Sequence, residues 1–303
     1  MTSHSFASST PQEAALVRQL ATFRFLAVAQ IADLVFEVSA ASARSRVVMA
    51  GRLLAASRKR GSVAATPRLS GGLGGGSSRP TYYLTPRGYR LAHDLDPALP
   101  VKRLKSPGRY LIHHALITAD VALAFRRAAL RHDHHQVVAW ECDWQAALGT
   151  GNFVVVPDGY LVYGVGAQRL HAWIEVDLGT EHSAFFARKI SRYLDLFRSG
   201  AWRARLRVWP VVLVITESEP RAAQLRRITE AVLASQLDRR YIADAAAFAF
   251  ASLADVVSAT GPFGVIWHRA GAANRTSLLP PEPSVSGPDA ASSASRSATD
   301  VSW

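Results

Sequence analysis

Helical spacing dominates the first third of the chain. Apolar residues recur every three or four positions over 14–23, directly after a Thr10-Pro11 pair that is typical of a helix start. The same spacing predicts a short helix over 28–36 and a longer one over 41–61 that ends in basic residues and a glycine. Two extended segments around a Gly/Ser loop follow, and a further helix opens at Pro86.

Short apolar runs replace this spacing in the second part of the chain. After one long amphipathic helix, which begins near residue 109, come several runs that are typical of buried strands. Helical segments lie between the later runs, and this alternation predicts an α/β domain with a central mixed sheet. The runs are VVAWECDW, NFVVVPDGYLVYG, LHAWIEVDLG and VWPVVLVIT.

The patterns divide the chain into four segments. Residues 1–96 contain three helices, a hairpin and a closing helix, which is the order of a winged helix-turn-helix. Residues 97–108 contain proline and basic residues and form a linker, and residues 109–270 form the α/β domain. Residues 271–303 are rich in Pro, Ser and Ala, which predicts a disordered tail. The predicted fold class is therefore α+β.

The positive charge is concentrated in the first of these segments. The 303 residues carry a net charge of +12, and residues 1–105 hold 15 Lys and Arg against 5 Asp and Glu. The remaining residues, 106–303, hold 20 against 18. This distribution is expected of a phosphate-binding module beside a nearly neutral one. Double-stranded DNA is the partner that it favours.

Composition excludes several other classes of protein. One cysteine, Cys142, cannot form an internal disulfide or an all-cysteine zinc site. No apolar run reaches the about 18–20 residues of a membrane span, and the N-terminus lacks the features of a secretory signal. We therefore expect a cytoplasmic protein without a membrane partner. Motifs of serine hydrolases, zinc peptidases and dinucleotide-binding folds do not occur, so no small-molecule substrate is expected.

One face of the third predicted helix carries the candidate DNA-reading residues. Helical spacing places four residues together: Ser42, Ser45, Arg46 and Met49. The residues expected to pack inward are Val47, Val48 and Leu54. Arg46 is the best candidate to read a guanine through two hydrogen bonds. The other candidates are expected to contact phosphates. They are Arg44, Arg52, Arg58, Lys59 and Arg60 on the helix, and Arg68 and Arg79 beside the Gly/Ser loop.

Three carboxylates mark the α/β domain. Asp158 stands in a Val-Val-Pro-Asp-Gly segment at one end of a predicted strand, and Glu175 and Asp177 share one face of the next. If the two strands pair as a hairpin, Asp158 joins that face. Grouped oxygen ligands suit Mg²⁺ or Mn²⁺, which can activate water at a scissile phosphate. The alternative is that Asp158 caps a turn while the other two carboxylates face solvent.

The order Pro-Asp, then Glu-x-Asp, then a helix resembles the PD-(D/E)xK nuclease-like fold, which is also the fold of restriction endonucleases. That family normally places a lysine where Asp177 stands, to orient the attacking water. Lys189, the only lysine of this domain, lies on the following helix, from which it could reach back. The resemblance implies catalytic roles for Asp158, Glu175, Asp177 and Lys189. Some members of that family carry an acid at this position, and some recruit a lysine from the following helix. An inactive nuclease-like DNA binder stays open as the alternative.

Over residues 10–270, the chain resembles the replication-relaxation family, whose bacterial members are associated with plasmids, phages or mobile elements. The resemblance implies a role in plasmid replication or DNA relaxation. It leaves open whether the protein is a Mg²⁺-dependent nickase, a non-catalytic initiator or a transcriptional regulator. It also leaves open whether the protein forms a homodimer. The segments that carry it are YLTPRGY (83–89), HHAL (113–116), VPDG (156–159), IEVDLGTE (174–181) and the spacing of Lys189 and Tyr193.

Two further sets of residues leave alternatives open. His132-Asp133-His134-His135 is a solvated loop, a metal site, or the His-x-His of a strand-nicking relaxase with Tyr110 or Tyr193 as nucleophile. The aspartate in this run favours the loop. Arg188 and Arg192 are one helical turn apart, where they hold DNA or pair with Glu181 or Asp195.

Overall fold

The computed structural model describes residues 10–36, 41–66, 80–99, 108–149, 154–179, 181–236 and 248–279. The chain divides into two compact units, residues 1–123 and 124–303, and the boundary falls within the helix α5 (Arg109–Arg131). Helices and a mixed sheet confirm the predicted α+β class. In the described ranges, no helix combines the length and apolar character that crossing a membrane requires.

The first unit contains a small antiparallel sheet of three strands in the order β1-β3-β2. Its core is built from fully buried aliphatic side chains, among them Leu16, Leu20, Ile31 and Leu54. The elements before α5 are α1 (Pro11–Phe23), β1 (Leu26–Ala27), α2 (Val28–Val35), α3 (Ala43–Lys59), β2 (Val63–Ala65), β3 (Thr81–Leu84) and α4 (Pro86–Leu95).

The Leu-Thr-Pro-Arg-Gly segment fixes the start of α4. The Thr85 hydroxyl accepts a hydrogen bond from the Gly88 amide at 3.2 Å and lies 2.6 Å from the Gly61 carbonyl oxygen, to which it donates. Gly88 packs against the backbone before β2, where an added Cβ would lie 2.1 Å from the Ser62 carbonyl oxygen. Threonine and glycine are therefore required here by a helix cap and a close backbone approach.

The second unit is built on a sheet of seven strands in the order β10-β9-β8-β7-β6-β5-β4. Strands β6, β7 and β8 are parallel, and the other neighbours are antiparallel. The strands are β4 (His135–Cys142), β5 (Gly159–Val165), β6 (Gln168–Asp177), β7 (Val211–Thr216), β8 (Phe248–Ser252), β9 (Trp267–Arg269) and β10 (Arg275–Thr276). The helices after α5 are α6 (Asp143–Ala146), α7 (Ser183–Ser199), α8 (Glu219–Gln236) and α9 (Leu253–Val257).

Helices cover both faces of this sheet. On one face, α7 and α8 pack against aromatic and aliphatic residues of β6, β7 and β8. Trp173 of β6 lies on that face, with its ring centroid 5.2 Å from Tyr193 of α7 and 4.8 Å from Trp209. On the other face, Phe125 of α5 contacts Tyr163 of β5. Because side chains alternate along a strand, Glu175 and Asp177 share the face of Trp173.

The fold continues past the predicted domain end at residue 270. Arg275 and Thr276 form β10, which pairs with β9, and the Leu278 side chain is fully buried. One buried leucine in a polar segment gives no periodic signal, so the sequence pattern did not distinguish these residues from the predicted tail. The remainder of that tail, residues 280–303, lies outside the described residues, as do most of the predicted linker and the Gly/Ser loop.

Candidate functional site

Asp158 and Glu175 are brought together by an antiparallel hairpin. Gly159 of β5 pairs with Ile174 of β6, and the Asp158 amide donates to the Ile174 carbonyl at 2.9 Å. One Asp158 carboxylate oxygen accepts a hydrogen bond from the Val176 amide at 2.7 Å. The strands thus pair in the way that places Asp158 beside Glu175, and the backbone of β6 holds the Asp158 carboxylate in position.

The buried Glu175 forms an ion pair with the partly exposed Lys189 at the centre of the site. The Lys189 Nζ lies 3.0 Å from Glu175 Oε2 and 3.4 Å from Glu181 Oε1, so the lysine of α7 does reach back to β6. The Tyr193 hydroxyl donates to the other Glu175 oxygen at 2.5 Å. Glu175 is only 3% exposed. Both of its oxygens therefore have cationic or hydroxyl partners.

Burial and charge act in opposite directions on this pair. Burial raises the pKa of Glu175, the Lys189 ammonium opposes that rise, and the Asp158 charge adds to it. Burial alone would lower the pKa of Lys189, but the carboxylates of Glu175, Asp158 and Glu181 outweigh it and raise that pKa above its usual value. Lys189 consequently stays protonated at neutral pH. Its ammonium can orient a group or balance negative charge, but it cannot act as a base.

Asp177 belongs to a separate interaction, with α8. Arg221 donates to both Asp177 oxygens, from Nε at 2.8 Å and from Nη2 at 2.9 Å. The Gly179 amide donates to the same carboxylate at 2.9 Å. In the described part of the chain, no three His, Cys, Asp or Glu side chains are grouped to hold a metal ion. Of the three carboxylates expected to converge, Asp158 and Glu175 lie together. Asp177 is instead bound by Arg221.

A pocket of about 130 Å³ opens beside Glu175. Glu175 and Tyr193, both buried, and the partly exposed Lys189 contribute to its lining. The remaining lining residues come from the segment before β5 and from the outer face of α7, and most of them are exposed. They are Val154, Val155, Val156, Phe185, Arg188 and Arg192. The ion pair is therefore reached from solvent through a surface that is both apolar and cationic.

The exposed face of α3 differs from the one expected. Arg46 is 7% exposed, forms an ion pair with Asp33 of α2 at 3.0 Å and donates to the Ala41 carbonyl at 2.7 Å. Val47 and Val48, expected inside, are 37% and 48% exposed. Arg46 therefore joins α2 to α3 instead of pointing to solvent, and it cannot read a base from this position.

The other candidate DNA contacts fall into three groups. Ser42 caps α3 by accepting a hydrogen bond from the Ser45 amide at 3.2 Å, and both serines are exposed. Arg60 pairs with Glu13 of α1. Arg44, Arg52, Arg58 and Lys59 are exposed on α3, whereas Arg68 and Arg79 lie outside the described residues.

The histidine run forms the turn between α5 and β4. His132 and His135 have ring centroids 5.0 Å apart, and His135 Nδ1 lies 3.1 Å from the Tyr163 hydroxyl. Tyr110 is 50% exposed on α5. Tyr193 is buried and donates to Glu175, so its hydroxyl is not available as a nucleophile. Among the described residues, these histidines do not belong to a group of three side chains that could hold a metal ion.

The fold and the site define a two-unit α+β protein with a carboxylate–lysine pair in its second unit. The replication-relaxation family model matches residues 17–212, well over half of the chain, and the protein belongs to that family. Membership suggests a role in replication or relaxation and implies interaction with DNA. No curated protein and no solved structure matches the chain.

Proposed function

We propose that the protein binds duplex DNA through its first unit, in the replication or relaxation of plasmid or mobile-element DNA. The observation that carries this proposal is the order of elements α1-β1-α2-α3-β2-β3-α4 with the sheet order β1-β3-β2. This order is typical of a winged helix-turn-helix, whose third helix enters the major groove, and it supports the proposal. Here that helix is α3, which exposes Arg44, Ser45 and Arg52. Arg46 is not among the proposed contacts.

Replacing both Arg44 and Arg52 with alanine is expected to weaken duplex binding at least tenfold. Each phosphate contact releases bound counterions. Losing one contact therefore reduces the magnitude of the slope of log binding constant against log salt concentration by about 0.9. Fluorescence anisotropy with a labelled random-sequence duplex at several salt concentrations measures both quantities. The matched control is Arg18→Ala/Arg90→Ala, which removes the same charge from exposed positions of α1 and α4. Equal losses in the two double variants would contradict docking through α3.

A second candidate function is Mg²⁺-dependent cleavage of the bound DNA by the second unit. It is favoured by the placement of Lys189 against Glu175, with Asp158 on the paired strand and an open pocket beside them. Asp158 and Glu175 offer hard oxygen donors of the kind that Mg²⁺ prefers, whereas Asp177 is held by Arg221. Lys189 and Tyr193 hold the Glu175 oxygens, so an ion would have to displace one of them. A bound Mg²⁺ would activate water at a scissile phosphate. Lys189, kept protonated, would orient that water or balance the charge of the phosphate.

Cleavage is tested by incubating supercoiled plasmid with the full chain in Mg²⁺ or in EDTA. We expect nicking in Mg²⁺ and at least a tenfold slower reaction for Asp158→Asn, which preserves the shape of the side chain. Asp195→Asn on the exposed face of α7 is the matched control, because Asp195 pairs only with its neighbour Arg198 among the described residues. Plasmid left intact together with retained duplex binding would favour the non-catalytic alternative, an initiator or transcriptional regulator.

A further inference from the structure

We infer that the pocket face of α7 binds an unpaired DNA strand, with a base against Phe185 and phosphates against Arg188 and Arg192. The inference rests on the proposed function for the choice of DNA. It goes further by assigning single-stranded DNA to a surface of the second unit that is distinct from α3. It requires neither a metal ion nor cleavage.

Neither exposed arginine of this face forms an ion pair in the part of the chain that the structure describes. Arg188 and Arg192 are exposed and one turn apart, where two like charges repel each other. The nearest acids in sequence are engaged elsewhere, because Asp195 pairs with Arg198 and Glu181 with Lys189. In the described part of the chain, no carboxylate lies within ion-pair distance of either arginine. Glu175 also lines the pocket, but it is buried and paired with Lys189. The two exposed cations at the rim are therefore complementary to a phosphate chain.

Exposed apolar side chains indicate that bases are contacted as well as phosphates. Phe185 is 46% exposed, and Val156 across the pocket is 53% exposed. The guanidinium of Arg188 lies over the Phe185 ring, 5.4 Å from its centroid. An exposed aromatic ring beside a planar cation is the platform on which single-stranded bases stack. Stacked bases in a duplex do not expose their faces, so this surface matches an unpaired strand better than a duplex.

The size of the pocket also favours a polymeric ligand over a free small molecule. Its volume of about 130 Å³ lies well below the about 300–1,000 Å³ of pockets that enclose small ligands. Because the pocket is small, only one chemical group of a ligand enters it, and the remainder of the ligand lies along the rim. A polynucleotide satisfies this geometry, because it can insert one unit while its neighbours lie on the arginines.

The test measures the affinity of the full chain for oligo(dT) of about 20 nucleotides by fluorescence anisotropy in EDTA, with a duplex measured in parallel. Arg188→Ala/Arg192→Ala is expected to lower the single-strand affinity at least tenfold and to reduce the salt slope by about 0.7 per lost contact. Phe185→Ala should lower it about tenfold with an unchanged slope. The control Arg207→Ala/Arg227→Ala removes the same charge from exposed positions of the second unit.

The outcomes separate this inference from the proposed function. Single-strand affinity that is equal in the pocket variant and the charge control overturns the inference, even where duplex binding through α3 persists. Pocket-dependent binding of oligo(dT) without duplex binding supports the inference and removes the proposed docking. Tighter binding of oligo(U) than of oligo(dT) overturns the assignment to DNA. Photocrosslinking of 5-iodouracil DNA to an α7 peptide gives a reading that does not depend on any variant folding, and a crosslink only outside the pocket overturns the inference.

Discussion

Replacing Arg221 with alanine is expected to lower the free energy of unfolding of the second unit by about 3–5 kcal/mol. The Asp177 side chain is only 4% exposed and receives two hydrogen bonds from Arg221. Without the guanidinium, a buried carboxylate keeps one amide donor, from Gly179, and no cation among the described contacts. All seven tryptophans lie beyond residue 123, so tryptophan fluorescence in a urea titration follows this unit selectively.

Two companion variants make this prediction specific. Arg227→Ala removes an exposed arginine from the same helix and should change stability by less than about 0.5 kcal/mol. Asp177→Leu/Arg221→Leu removes both charges and should be more stable than Arg221→Ala alone, because no charge is then buried without a partner. An Arg221→Ala protein as stable as the Arg227→Ala protein would show that solvent compensates Asp177.

Replacing Arg46 with alanine is expected to destabilise the first unit by about 3 kcal/mol, near the lower end of the range for a broken buried pair. The lower end applies because Asp33 retains 20% side-chain exposure. The first unit contains no tryptophan. We therefore expect part of the helical circular dichroism to melt at a lower temperature while tryptophan emission follows its original transition.

The neighbouring Arg44 provides the contrast. Arg44→Ala, at an exposed position two residues earlier on α3, should leave the melting curve unchanged and weaken duplex binding. The predictions are reversed if Arg46 reads DNA as its helical spacing alone indicated. In that case Arg46→Ala would keep the stability of the wild-type protein and lose only its affinity for duplex DNA.

Local periodicity predicted the elements of the fold but not the rotation of every helix. The three helices and the strand runs followed from spacing and caps, which are local properties. The face of α3 did not follow, because its valines and Arg46 fit two rotations that differ by about one residue, or roughly 100°. The choice depends on Asp33 of α2, a tertiary partner that spacing on α3 does not reveal.

The grouping of the candidate residues was predictable to the same extent. Sequence motifs located Asp158, Glu175 and Lys189, because strand alternation and a following helix limit where these side chains point. The role of Asp177 was not predictable, since its partner Arg221 lies 44 residues further along the chain and the placement of α8 is a tertiary property. A bidentate pair with a distant arginine leaves no local signal in the strand that carries the carboxylate.

The Asp177–Arg221 pair also has a consequence for how this sequence can diverge. Changing Asp177 to the lysine that PD-(D/E)xK nucleases normally carry would remove the pair and set a second cation against Arg221. Changing Arg221 alone would leave Asp177 buried without its partner. Neither step is neutral by itself, so the two positions are energetically coupled. We expect them to be exchanged jointly among relatives, so that an acid after the Glu-x of β6 occurs with an arginine early in α8.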